Sequence, residues 1–238
     1  MSNDMSAGVA AAVASYWARR GQQAHKQLDA GKADAGSRGA VTGGGQLDGV
    51  CDLIASVFSS HGFPSSSIRR KSGIVLPGFY RPTKKWDLVV FHRGMLVAAI
   101  ELKSQVGPSF GNNFNNRTEE AIGNASDIWR AYEEGTFGGL RPWLGYVFLL
   151  EEAPGSTKTV SLDPTVYPVE RIFTDTSYKA RYAILCDRLV KERLYDAAWF
   201  LTATKGGEVD EPVPSLSFAS FAAAITGRAA FINALSQD

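Results

Sequence analysis

The sequence predicts an α/β fold in which a central mixed β-sheet is flanked by helices. Apolar residues recur at helical spacing in several segments, and short, almost wholly apolar runs of strand length lie between those segments. The chain has 238 residues, of which 45% are hydrophobic, so it is large enough to bury a core without disulfides or structural metals. We therefore expect one domain built around one sheet.

Two helices separated by a loop are predicted in the first quarter of the chain. Residues 1–30 are rich in Ala and place apolar side chains at helical spacing. Gly, Ala and Ser dominate residues 31–45 and predict a loop. Helical spacing returns over residues 46–61, and the Gly-Phe-Pro sequence at 62–64 ends that helix.

A β-hairpin is predicted next along the chain. Residues 68–76 are a candidate for a basic strand, and the Pro-containing segment 77–82 is a predicted loop. Two apolar runs follow at 86–91 and 95–103. The short connector at 92–94 fits a tight turn between two antiparallel strands.

The remainder of the chain is predicted to alternate between helices and strands. A Gly- and Asn-rich loop at 107–116 is expected to lead into a helix at 117–134. The run at 143–150 is almost wholly apolar and predicts a central strand. The other predicted elements are a helix at 178–194, a strand at 197–203 and a helix at 218–235.

The predicted domain organisation is a single domain with short additions at both ends. Its core is expected at about 46–205. The N-terminal helix of about 1–30 and the Gly-rich loop 31–45 precede this core, and a C-terminal helix of about 217–236 follows it.

Cysteine usage, the N-terminal segment and the length of the apolar runs argue against a disulfide-bonded, secreted or membrane protein. Cys51 and Cys186 lie far apart and have no metal-ligand spacing, which predicts small buried residues in a reducing cytoplasm. The N-terminal segment carries an early acid and no basic region, so no signal peptide is expected. No apolar run approaches the ~18 residues that span a membrane, so we expect no membrane partner.

Charge is concentrated in one block of an almost neutral chain. The net charge of the whole chain is +1, yet Ile68 to Lys103 contains eight Lys or Arg and two acids, a balance of +6. Such a block is typical of a nucleic-acid contact surface. A solvated face whose charges are balanced elsewhere in space is the alternative.

Three charged residues are expected to converge at one end of the predicted hairpin. Side chains alternate between the two faces of a strand, so Glu101 and Lys103 leave the same face. Asp87 begins the preceding strand, and in an antiparallel hairpin the start of one strand lies beside the end of the next. The expected faces are Leu96, Ala98, Ile100 and Leu102 on one side, and Val97, Ala99, Glu101 and Lys103 on the other.

This triad has the composition that metal-dependent phosphodiester hydrolysis needs. Asp87 and Glu101 supply oxygen ligands for Mg²⁺ and leave coordination positions for water and phosphate. The metal activates water and stabilises charge on the phosphate. Lys103 is suited to orient or help deprotonate the attacking water. The alternative is a structural ion pair at the end of a strand.

The Asn-rich segment after the hairpin is a candidate for base recognition. Asn pairs with adenine and Arg pairs with guanine in the major groove of DNA. Four Asn occur within five positions at 112–116, directly before Arg117. Asn and Gly also favour turns, and Asn often caps helices, so turn formation is the alternative.

The segments around the triad resemble the XhoI-type type II restriction endonucleases, within the PD-(D/E)xK nuclease superfamily. The resemblance is strong from about 43 to 130 and looser to about 195. It is carried by Leu76–Lys84 with Trp86-Asp87, by Val97–Ser104, by Val106–Arg117 with Glu119–Gly123, and by Gly44–Gly49.

The resemblance implies a restriction-endonuclease-like core and a homodimer that cuts double-stranded DNA at the palindrome CTCGAG, leaving 5′ overhangs. It assigns Asp87 and Glu101 to Mg²⁺ and Lys103 to catalysis. Trp86 stands where the superfamily usually has Pro. A further metal ligand from the upstream helix is expected at Asp48 rather than Asp52, with capping of the helix start as the alternative role of Asp48.

The DNA-contact residues are expected to lie on both sides of the triad. Arg81, Lys84 and Lys85 are assigned to backbone phosphates, which fix register without reading sequence. The other predicted contacts are Ser104, Gln105, Asn112, Asn113, Asn115, Asn116 and Arg117.

Other functions fit the same pattern of residues. A structure-specific or repair nuclease would share the metal site, and a catalytically silent DNA-binding protein would keep the fold. A non-enzymatic interaction protein would have no DNA affinity. A restriction enzyme implies a DNA methyltransferase in the host, although not as a stable partner.

Overall fold

The computed structural model describes residues 2–29 and 45–235. The predicted Gly-rich loop, apart from Gly45, lies outside the described residues. The helices are α1 (Ser2–Asp29), α2 (Asp48–Ser60), α3 (Phe110–Glu133), α4 (Pro154–Thr157), α5 (Tyr178–Lys191) and α6 (Phe218–Leu235). The strands are β1 (Ile68–Arg69), β2 (Val75–Pro77), β3 (Thr83–Lys85), β4 (Leu88–His92), β5 (Met95–Gln105), β6 (Trp143–Glu151), β7 (Ala197–Ala203) and β8 (Val209–Asp210).

Six strands form one mixed sheet in the order β1-β4-β5-β6-β7-β8. Strands β5, β6 and β7 are parallel to one another, and they form the centre of the sheet. Strand β4 pairs with β5 in antiparallel fashion as the predicted hairpin, and β8 is antiparallel to β7. The predicted α/β fold with a mixed sheet and helices on both sides is therefore confirmed.

Both faces of the sheet are covered by helices. Helices α1, α2 and α6 pack on one face, where Val13, Ile54 and Phe221 are fully buried. Helices α3 and α5 cover the other face, where Ala125 and Tyr182 are fully buried. Every residue of β6 and β7 is buried, which explains why these two strands are apolar except at Glu151 and Thr202.

Helix α6 corrects one expectation from the sequence. It has the length and apolar composition that crossing a membrane requires, so the expectation that no run approaches that length is wrong. The helix is apolar because it is rich in Ala and contains only one charged residue, Arg228. Phe218, Phe221 and Ile225 are buried against the sheet, so this apolar side of the helix forms part of the core.

The hairpin contains a β-bulge that the sequence pattern did not predict. Val90 pairs with Ala98, whereas the next residue, Phe91, pairs with Leu96. Val97 is the additional residue. Its side chain therefore packs on the same face of the sheet as Ala98, whereas Leu96 packs on the opposite face. The predicted alternation of side chains between the two faces of the sheet is therefore wrong at the start of β5, and it is correct from Ala98 onward.

Two other local predictions also differ from the structure. The predicted basic strand at 68–76 is divided between β1, which joins the main sheet, and β2, which pairs with β3 in a separate two-stranded sheet. The predicted loop at 107–116 is helical from Phe110, because Phe110 is buried and anchors the first turn of α3.

Candidate active site

Asp87 lies beside the end of β5, as the hairpin geometry predicts. Its backbone N–H donates to the carbonyl oxygen of Ile100 at 3.3 Å. Its carboxylate Oδ2 accepts the backbone N–H of Leu102 at 2.7 Å. The Asp87 carboxylate is therefore fixed between the two residues that flank Glu101.

Glu101 is a buried carboxylate with two lysine partners. It is 2% exposed, although it belongs to the most strongly solvated class of side chain. The Nζ atom of Lys84 lies 2.7 Å from Glu101 Oε2, and Lys103 forms an ion pair with Oε1. Each carboxylate oxygen therefore has its own ammonium partner, which compensates for the burial of the charge.

Lys84 reaches the cluster from β3, in the small second sheet. Its ammonium lies 4.6 Å from the centre of the Trp86 ring, so the indole forms an apolar and electron-rich surface beneath it. The side chain of Lys84 is only 10% exposed. The sequence assigned Lys84 to backbone phosphates, and its contact with Glu101 was not predicted because strand β3 was not predicted.

The electrostatics of the cluster show that the two carboxylates interact. Burial and the nearby charge of Glu101 raise the pKa of Asp87 to about 6, against the opposing effects of the Leu102 N–H and the two lysines. Burial alone would lower the pKa of Lys103, but Glu101 and Asp87 hold that pKa above its ordinary value. Lys103 is therefore a charged ammonium at neutral pH.

Two carboxylates with hard oxygen donors fit a magnesium ion. Mg²⁺ retains several waters and is commonly held by one or two carboxylates. The charge of Glu101 contributes to the raised pKa of Asp87, so the two carboxylates lie close enough to interact. Within residues 2–29 and 45–235, no group of three or more His, Cys, Asp or Glu is close enough to hold a metal.

Asp48 does not join that pair in the structure. It is the first residue of α2, and its carboxylate forms an ion pair with Arg19 of α1 at 2.5 Å. As an acid in the first turn Asp48 also interacts favourably with the helix dipole, but the N-cap residue is Leu47 and no side chain caps the helix start, so Asp48 does not have the alternative capping role either. Cys51 lies one turn after Asp48 in α2 and is buried. Its Sγ atom is 3.8 Å from the backbone carbonyl oxygen of Asp87. Asp52 is paired with Arg70 on the surface.

A second buried carboxylate, Asp127 of α3, was not predicted. Its Oδ1 accepts the backbone N–H groups of Phe79 and Tyr80, each at 2.8 Å, and its Oδ2 pairs with Arg81 at 2.8 Å. Arg81 also donates to the side-chain oxygen of Asn124 at 2.7 Å. These bonds fasten the loop between β2 and β3, which leads to Lys84. The signal in the sequence is weak, because one Asp in a helix is ordinarily solvated.

We expect Asp127→Asn to lower the free energy of unfolding by about 1.5 to 3 kcal/mol, because it weakens hydrogen bonds to a buried charged group. Desolvation opposes the charge, but the N–H groups and Arg81 keep the pKa of Asp127 below its ordinary value. The stabilisation is therefore present above about pH 4 and is lost as pH falls below that value. Urea denaturation at pH 7 and pH 3 measures both effects.

Asp163→Asn is the matched control, since it makes the same chemical change at an exposed position. Its effect should stay within about 0.5 kcal/mol at either pH. An Asp127→Asn protein as stable as the wild type at pH 7 would contradict the structural role of Asp127.

The Asn-rich segment forms the first turns of α3. Asn112, Asn115 and Asn116 are exposed, and their i, i+3, i+4 spacing places them on one side of the helix. Asn113 is partly buried and its side-chain N–H donates to the Ser109 carbonyl oxygen at 2.6 Å. Arg117 is mostly buried and pairs with Glu120 at 2.6 Å.

The remaining predicted DNA contacts differ in accessibility. Lys85 is exposed, and Ser104 is partly exposed one residue beyond Lys103. Gln105 is 4% exposed, and its side-chain N–H donates to the Val106 carbonyl oxygen at 2.8 Å. The structure therefore brings Asp87, Lys84, Glu101 and Lys103 together, and it directs Gln105 into the protein.

The basic block is partly neutralised in three dimensions. Arg70 and Arg81 pair with Asp52 and Asp127, two acids that lie outside the block in sequence. Lys84 and Lys103 both pair with Glu101. The linear charge balance consequently overstates the positive charge that this surface presents.

Comparisons with known proteins identify the family of this chain. A family profile described as Restriction endonuclease XhoI matches residues 26–211. The chain is 47% identical to the type II restriction enzyme BstVI of Geobacillus stearothermophilus over 180 residues, which cover 73% of this chain and 80% of that enzyme.

Two further relatives are also named type II restriction enzymes. The chain is 42% identical to the type II restriction enzyme XhoI of Xanthomonas vasicola over 181 residues, 75% of this chain and 72% of that enzyme. It is 48% identical to the type II restriction enzyme AbrI of Azospirillum brasilense over 148 residues, 61% of this chain and 66% of that enzyme. No solved structure matches significantly. The resemblance predicted from the motifs is confirmed: the chain belongs to the XhoI restriction endonuclease family.

Proposed function

We propose that this protein is a Mg²⁺-dependent, sequence-specific endonuclease that hydrolyses double-stranded DNA at the palindrome CTCGAG and leaves 5′ overhangs. Membership of a restriction endonuclease family supports a site-specific nuclease. The observation that carries the metal-dependent chemistry is the meeting of Asp87, Glu101 and Lys103 at the end of one hairpin.

Each residue of the triad has a distinct proposed role. Asp87 and Glu101 would hold Mg²⁺, and the chemistry that this ion would supply when bound is activation of water and compensation of charge on the scissile phosphate. Lys103 orients the attacking water and stabilises developing negative charge through its ammonium. The buried strands fix the positions of these groups, so little reorganisation is needed when DNA binds.

The exposed Asn residues of α3 are the proposed base-reading surface. The N-terminal turns of a helix can enter the major groove, where Asn recognises adenine through paired hydrogen bonds. Asn112, Asn115 and Asn116 are exposed on the first turns of α3. Lys85 is exposed next to the catalytic cluster and suits a phosphate contact.

A two-fold symmetric target favours a two-fold symmetric protein. We propose that two copies of the chain bind one palindrome and that each copy cuts one strand. The enzyme would act in the cytoplasm. A separate methyltransferase would protect host DNA there without forming a stable complex with the nuclease.

Plasmid cleavage tests this proposal directly. The protein is incubated with a plasmid that carries one CTCGAG site, with Mg²⁺ or with EDTA, and the new ends are sequenced. We expect one Mg²⁺-dependent cut with 5′ overhangs inside that palindrome. Discrete cuts at another palindrome would reject the proposed target. A smear or junction-dependent cutting would reject sequence-specific cleavage.

The pH dependence of cleavage follows from Asp87. The pKa of its carboxyl is about 6 in the metal-free protein, and only the deprotonated form binds a metal. Cleavage at limiting Mg²⁺ should therefore rise between pH 5 and 7 with a midpoint of about 6. Saturating Mg²⁺ should move the midpoint lower, because the ion competes with the proton. A rate that is flat across this range at limiting Mg²⁺ would contradict the assignment.

A further inference from the structure

Lys84 occupies the side of Glu101 that Lys103 leaves open. Lys103 pairs with Oε1 of Glu101, and the Nζ atom of Lys84 lies 2.7 Å from Oε2. Both oxygens of the proposed metal ligand are therefore in contact with a cation. A divalent ion that binds to Oε2 has to displace the ammonium of Lys84, because the two cations would repel each other at contact distance.

The charge balance of the cluster explains why this displacement is difficult in the DNA-free protein. With both carboxylates ionised, Asp87 and Glu101 carry two negative charges, and Lys84 and Lys103 carry two positive charges. A neutral cluster attracts Mg²⁺ weakly, because the energy of dehydrating the ion is not matched by a net negative charge. One phosphate beside the cluster would change that balance.

The surroundings of Lys84 hold its ammonium at Glu101 without burying it completely. The Trp86 ring lies 4.6 Å from Nζ, and the carbonyl oxygen of Lys85 accepts a hydrogen bond from Nζ at 3.1 Å. The side chain is 10% exposed, so it lies at the edge of the cluster. A lysine has a flexible stem of four carbons, which lets the charge move several ångströms while the backbone stays in place.

We infer that Lys84 is a built-in competitor for the metal site, which DNA removes by drawing the ammonium from Glu101 to a backbone phosphate. The inference rests on the proposed function and extends it. The result is that Mg²⁺ and DNA bind cooperatively, since each ligand favours the same displaced position of Lys84.

Calorimetric titration of Mg²⁺ into the DNA-free protein tests the inference. We expect Lys84→Met to bind Mg²⁺ about tenfold more tightly than the wild type, because one competing charge is gone. Lys84→Arg keeps the charge and should bind as weakly as the wild type. Lys158→Met, which removes a charge from an exposed lysine outside the cluster, is the matched control and should not change the affinity. Thermal melting verifies that each variant is folded.

Fluorescence anisotropy of a labelled CTCGAG duplex in EDTA provides the second readout. Lys84→Met should bind this duplex several-fold more weakly, because a phosphate contact is lost. The substitution is thus expected to have opposite effects on the two ligands, tighter for Mg²⁺ and weaker for DNA. A purely structural role of Lys84 would weaken both.

The outcomes separate this inference from the proposed function. A wild type that binds Mg²⁺ and a folded Lys84→Met protein that binds it no more tightly would overturn the inference and leave a metal-dependent nuclease. Absence of Mg²⁺ binding by every variant, with and without the duplex, would overturn both.

Discussion

Replacing Lys103 with Ala is expected to reduce DNA cleavage by on the order of a thousandfold or more while DNA binding persists. The ammonium of Lys103 is held against Glu101 in a mostly buried position, and its pKa remains above the ordinary value. Its removal takes away the group that we propose to orient water and stabilise charge, whereas the exposed Asn side of α3 is unchanged. Single-turnover cleavage and duplex anisotropy measure the two properties separately.

Lys191→Ala is the control for this experiment. Lys191 is exposed at the end of α5 and pairs with Asp187 one turn earlier. Its replacement should leave cleavage and duplex affinity unchanged. Cleavage at the wild-type rate by the Lys103→Ala protein would exclude Lys103 from the catalytic role.

Replacing Glu101 with Gln is expected to abolish Mg²⁺-dependent cleavage and to lower the free energy of unfolding by about 3 to 5 kcal/mol. Glu101 is 2% exposed, and its carboxylate is the counter-ion of both Lys84 and Lys103. A neutral amide leaves two ammonium groups in a desolvated cluster without that counter-ion. Urea denaturation in EDTA measures the loss of stability independently of any metal.

A double-mutant cycle identifies the cause of that loss. Glu101→Gln combined with Lys84→Met should be more stable than Glu101→Gln alone, since one of the two unpaired charges has been removed. Strict additivity of the two substitutions would show that the Lys84 ion pair contributes nothing. Glu170→Gln, which breaks the exposed pair with Arg188, is the control and should change stability by less than about 1 kcal/mol.

Hydrophobic periodicity was sufficient to predict most of the fold. The strand at 197–203 and the helix at 218–235 were predicted with their observed bounds, because both elements are long and strongly apolar. The start of α3 was predicted seven residues late. Gly and Asn normally indicate a turn, but the burial of Phe110 against the sheet overrides that local preference.

The sequence predicted only the part of the candidate site that comes from neighbouring strands of one hairpin. Asp87, Glu101 and Lys103 belong to one hairpin, so register and alternation bring them together. Lys84 and Asp127 depend on contacts between separate elements, the small second sheet and the helix α3. Such contacts follow from how the layers pack, and no local spacing in the sequence encodes them.

The short connection between β5 and α3 has a consequence for engineering. Four residues, 106–109, join the strand that carries Glu101 and Lys103 to the helix that exposes the Asn residues. The connection is held at both ends, because the Gly107 N–H donates to Glu151 at 2.8 Å and Phe110 is buried. We therefore expect a change of target preference to be safest at the proposed base contacts, Asn112, Asn115 and Asn116. Insertions or substitutions closer to the strand would shift the proposed catalytic residues together with the proposed recognition surface.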